Sequence, residues 1–111
     1  MIEQEKFAQN IREAGEAVKK AEENACEMEA IEKQTFAKLQ VEALGQGCKT
    51  VAAQTTYADA HENMFEARVN RGVAKAAIAA AKADLLAAEV EFKIWQTQMA
   101  TMRQERRVYG S

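Results

Sequence analysis

The chain has 111 residues, 17 acids against 15 lysines and arginines for a net charge of −2, no proline and two cysteines. That is the length of one domain, and so small a net charge sets up no global field that demands nucleic acid or a membrane. Strong helix formers dominate, and much of the 48% apolar content is alanine, which excludes a bulky core and favours thin, close helix contacts. No apolar run is long enough to span a bilayer. Met1-Ile2-Glu3-Gln4-Glu5 lacks the basic region and apolar stretch of a secretory signal, so a cytoplasmic location is expected.

The first predicted element is one helix over about residues 2–44. Phe7, Ile11, Ala14, Val18, Ala21, Ala25 and Met28 recur at alternating spacings of four and three, which is a heptad seam. Past Met28 the apolar face continues through Ile31, Thr35, Leu39 and Ala43 with a slip of phase, as at a stammer. Gly45-Gln46-Gly47 is a helix stop, because glycine accepts the left-handed conformation at a C-cap. A turn over 45–48 is short, so the next helix is expected to return antiparallel.

The second predicted helix runs from about 49 to 109. Ala53, Tyr57, Ala60, Met64, Ala67, Arg71 and Ala74 open a seam that continues through Ile78, Ala81, Leu85, Ala88, Phe92, Trp95, Met99 and Met102 without a slip. Arg71 is its one charged member, and such residues often fix register. Asn70-Arg71-Gly72 offers a break that would give a three-helix bundle, but the phase survives the glycine, which favours a continuous helix. Residues 1–43 carry ten acids and six bases, and residues 44–111 seven acids and nine bases, a difference that favours pairing of the two halves. The expected fold is therefore all-α: a long antiparallel helical hairpin, 1–111, with coiled-coil packing.

Folding at Gln46 would set Phe7 against Leu85, Val18 against Ala74 and Met28 against Met64. The end of the second helix would then overhang, carrying the bulkiest seam residues: Phe92, Trp95, Met99 and Met102. A dense apolar stripe is not left in water by a stable monomer, so these four residues are the expected oligomer or partner interface, with a homodimer as the simplest solution.

Candidates for chemistry are few. Cys26 and Cys48 are separated by about twenty residues of helix, roughly 30 Å, beyond disulfide reach, and are expected as free thiols of a reducing compartment. His61 has no second His at zinc spacing, so no metal or cofactor is expected and His61 reads as a surface residue. No nucleophile has a partnered base, and an enzyme is not expected. Arg103, Arg106 and Arg107 beside Tyr109 form a basic helix end able to grip phosphate and stack on a base. Lys49, at the start of the second helix, could add to an anion site.

The stretch Cys48-Lys49-Thr50-Val51-Ala52-Ala53-Gln54, then Tyr57, then the alanine-rich helix ending in Phe92-x-x-Trp95-x-x-x-Met99-Ala100-Thr101-x-Arg103-x-Glu105-Arg106, resembles small helical coiled-coil proteins of tailed phages and prophages. The resemblance covers the second half of the chain and implies a phage accessory protein. The expected function is that of a non-enzymatic interaction protein that binds itself and another protein through its oligomer or helix end. The alternative is a nucleic-acid-binding accessory to recombination or replication that uses the C-terminal arginines.

Overall fold

A computed structural model of the chain describes residues 3–109. They form three helices: α1, Glu3–Gly45; α2, Val51–Ala60; and α3, Glu62–Tyr109. Among the described residues there is no strand, and no helix is long and apolar enough to cross a membrane. The all-α hairpin expected from the heptad pattern is the fold observed. It divides into two compact units, one of residues 20–79 and one of 1–19 with 80–111.

The turn after α1 is the one the glycines predict. Cys48 N–H donates to the Ala43 carbonyl at 2.9 Å and Gly47 N–H to the Leu44 carbonyl at 3.2 Å, the paired bonds of a Schellman stop. Gly47 has φ +94°, a conformation that a side chain would strain. Thr50 then caps α2, its hydroxyl accepting from Ala53 N–H at 3.1 Å.

The second predicted helix is divided, and the break lies at His61, not at Asn70–Gly72. His61 has extended backbone, φ −79° and ψ 138°. Its Nδ1 accepts from Asn63 N–H at 3.1 Å, and its carbonyl accepts from Met64 and Phe65. His61 therefore does the work of an N-cap for α3, satisfying donors that a new helix leaves free. The heptad phase passes through this point unbroken in sequence, which is why periodicity alone could not show it. Gly72, by contrast, lies inside α3.

The break changes the register. Because α2 intervenes, the return helix starts later than a fold at Gln46 would allow. In the unit of residues 20–79, Met64 packs with Leu39 and Ala58, flanked by Phe36 and Tyr57, and does not meet Met28. Met64 is 1% exposed and Leu39 4%. Burial of one such side chain is worth about 1.5–3 kcal/mol. In the unit of residues 1–19 and 80–111, Phe7 lies against Phe92 and Trp95 in place of Leu85.

Within α3 the seam itself is as read. From Met64 to Met99 the positions withdrawn from solvent recur at spacings of three and four, and every other residue between them is exposed. In α1 the expected slip after Met28 is absent at its first step. Glu32, not Ile31, takes the next inward position, and Ile31 is 39% exposed. Glu32 Oε2 stands 2.8 Å from Nε of Arg71. The slip and the lone charged seam residue of α3 are thus two halves of one ion pair.

Candidate functional site

The last turns of α3 hold most of the residues expected to work. Phe92 and Trp95 are half-buried, and their intrachain partner is Phe7, with ring centroids 6.0 and 5.6 Å away and tilted by 44° and 42°. Phe92 and Trp95 stack on each other at 6.1 Å. Tilted rings at such distances place positive edges near negative faces, a favourable arrangement. Trp95 Nε1 donates to Glu3 Oε2 at 2.6 Å, a charge-assisted bond. The overhang expected at Phe92 and Trp95 is therefore closed by the first turns of α1. The N-terminal helix reaches farther along α3 than a fold at Gln46 implies. Met99 is half-buried, while Met102 is 44% exposed.

Beyond Met102 every described residue is exposed. Arg103, Arg106 and Arg107 are spaced so as to share one side of the helix, and Tyr109 is 87% exposed. Met102, Glu105, Arg106 and Tyr109 line a shallow groove there. Arg106 and Arg107 in the last turn also complement the negative end of the helix dipole. Lys49 is exposed in the connection between α1 and α2. It belongs to the unit of residues 20–79, whereas the arginines belong to the other.

In the unit of residues 20–79 the polar groups are structural in character. Arg71 Nε and Glu32 Oε2 are both enclosed and at ion-pair distance, but bent out of hydrogen-bond alignment. Arg68 pairs with Asp59 across the His61 break, with both side chains close to half exposed. Tyr57 is half-buried. Partial withdrawal from water, and then the neighbouring Glu42 carboxylate, which favours the protonated phenol, raise its pKa above the usual 10.0. Cys26 and Cys48 are free, Cys26 exposed and Cys48 half-buried. Among the described residues no group of His, Cys, Asp and Glu is arranged to hold a metal ion.

One feature of α3 escaped the sequence reading. The helix leaves Phe65, Val69, Val73, Leu86, Val90 and Ile94 between 45% and 67% exposed. They occupy the side opposite the seam, where a hairpin helix ordinarily shows charge to water. The same side of α1 carries Arg12, Glu13, Glu16, Lys19, Lys20 and Glu23. The spacing of Val69, Val73, Leu86, Val90 and Ile94 carries this second face in the sequence, beside the longer and denser seam.

The fold and surface together define the class: an all-α hairpin whose longer helix is apolar on two sides. No family model, no curated protein and no solved structure matches the chain.

Proposed function

We propose that this chain is a non-enzymatic interaction protein, a hairpin with coiled-coil packing that acts by holding other chains on its helices. The observation that carries the reading is the row of large apolar side chains exposed along α3. Contiguous apolar surface of this kind marks interaction sites in soluble proteins. The 4-3 recurrence of withdrawn positions in α3 supports coiled-coil packing of the seam. The resemblance to phage helical proteins supports an accessory role in a phage or prophage, in the cytoplasm.

A second reading is favoured by one observation. Arg103, Arg106 and Tyr109 stand exposed at the end of α3, the arrangement that a phosphate backbone and an unstacked base would meet. On that reading the chain assists a DNA-handling enzyme.

A tagged chain drawn through native lysate, with and without nuclease, separates the two. A defined protein retained after nuclease, and lost with Leu86→Glu, is the expected result. Loss of all bound material on nuclease treatment, restored by nothing but nucleic acid and abolished by Arg→Ala changes at 103, 106 and 107, would move the second reading to first place. Retention of nothing in either arm would contradict both.

A further inference from the structure

In the unit of residues 1–19 and 80–111, α1 and α3 leave a groove between them, lined by Glu3, Lys6, Phe7, Glu91, Trp95 and Gln98 among others. Its floor is aromatic. Trp95 is held there by Phe7 at 5.6 Å and by the bond from its Nε1 to Glu3. Two carboxylates face one lysine in this groove, so it is acidic. The shallow groove of Met102, Glu105, Arg106 and Tyr109 follows on α3. Residues 91, 95, 98, 102 and 106 recur at spacings of four and three, so both grooves lie along one side of the helix.

We propose that this side of α3 docks against the same side of a second copy of the chain, antiparallel, about a two-fold axis that passes between Gln98 and Met99. The inference rests on the interaction reading above and deepens it by naming an occupant. A two-fold contact uses the same surface on both copies, so each group must suit the one at its mirror position. About this axis the mirror of Glu91 is Arg106, and the mirror of Trp95 is Met102. A carboxylate meets a guanidinium and an indole meets a thioether, each twice per dimer, and both contacts are favourable. Among the described residues neither Glu91 nor Arg106 has an ion pair within its own chain, and both are exposed. Met102, 44% exposed in the single chain, gains a cover. Glu105 brings the opposite charge to Lys6 on the rim of the groove. Complementary charges of this kind fix register more than they add affinity. The occupant is a second copy because the acidic aromatic groove and the thioether and arginine that suit it stand on one helix side in mirrored order. An unrelated partner would need only one of the two halves.

The test is sedimentation equilibrium of the purified full-length chain under reducing conditions, with the emission of Trp95, the single tryptophan, followed on dilution. The wild type is expected to dimerise at micromolar concentration, and its emission to change as the dimer dissociates. Met102→Glu sets a carboxylate against the indole and is expected to weaken the dimer more than about tenfold. It exchanges one good helix former for another at an exposed site, so the far-ultraviolet spectrum of the monomer should not change. Arg106→Glu or Glu91→Arg alone places like charges at mirror positions and should weaken the dimer, and the two together should restore it. A chain that stays monomeric, a dimer indifferent to Met102→Glu, a Trp95 emission unchanged on dissociation, or charge reversals that do not compensate would each overturn the proposal. A monomer that still retains a lysate protein through Leu86 would overturn the second copy while leaving the interaction function standing.

Discussion

The two units differ in how much they bury. Among the described residues, the buried ones (Leu39, Ala43, Ala58, Met64, Ala67 and Ala74) all lie in the unit of residues 20–79. The unit of residues 1–19 and 80–111 has half-buried seam residues and the aromatic group of Phe7, Phe92 and Trp95. The cause is the number of helices. Two helices side by side leave each seam residue open at its edges, whereas α2 and its flanking turns add a third element around Met64. The lesson is that a heptad seam identifies which side chains face inward, and the count of neighbouring helices decides how completely they are buried.

That difference can be tested by truncation. Met64→Ala removes a fully enclosed side chain and is expected to cost about 2–5 kcal/mol in denaturant unfolding. Phe7→Ala, in the two-helix unit, removes a larger but half-exposed side chain and should cost less, about 2 kcal/mol. Equal losses at the two sites would erase the contrast between the units.

The ion pair of Glu32 and Arg71 sharpens it further. Arg71→Leu alone leaves a carboxylate at an inward position without its partner, and a loss of roughly 1–2 kcal/mol is expected. Changing both residues to Leu should be close to neutral or stabilising, because a well-packed apolar pair replaces charges whose desolvation offsets their attraction. A double variant much weaker than the single one would show that the pair contributes stability and not only register. Thr50→Ala, which deletes the cap of α2, is expected to lower stability by about 1 kcal/mol and to loosen the cover over Met64.

The smallest effect is one of pH. Tyr57 has its pKa raised in the fold, so the fold favours the neutral phenol. The stability that this contributes is present below the unfolded value near 10.0 and is lost as pH rises through the higher folded value. Unfolding followed on the alkaline side of pH 10 should show a decline that Tyr57→Phe reduces. An identical decline in the variant would remove Tyr57 from the account.

The inward positions of α3 were legible from sequence because alanine and large apolar residues alternate there without interruption. The glycine stop at 45–47 was legible for the same kind of reason: few residues other than glycine adopt φ +94°. His61 was not, because a histidine that caps a helix through Nδ1 leaves no composition signal and no change of phase. Missing that break displaced the register, and the register error left Phe92 and Trp95 without the partner that Phe7 in fact provides. Glu32 was overlooked because a charged residue at an inward position looks like a slip until Arg71 is placed beside it. The outer face of α3 was hidden in the alanine content, which reads as helix propensity before it reads as surface.

The contact of Phe7 with Phe92 and Trp95 sets the register of the two-helix unit, on which its contrast with the unit of residues 20–79 depends. The most direct measurement is the distance between two spin labels within one chain carrying Cys26→Ser and Cys48→Ser, with Lys6→Cys paired either to Gln98→Cys or to Lys82→Cys, all three positions being exposed. Phe7 against Phe92 and Trp95 predicts the shorter distance for positions 6 and 98. The shorter distance for positions 6 and 82, the order that a fold at Gln46 would give, would contradict it.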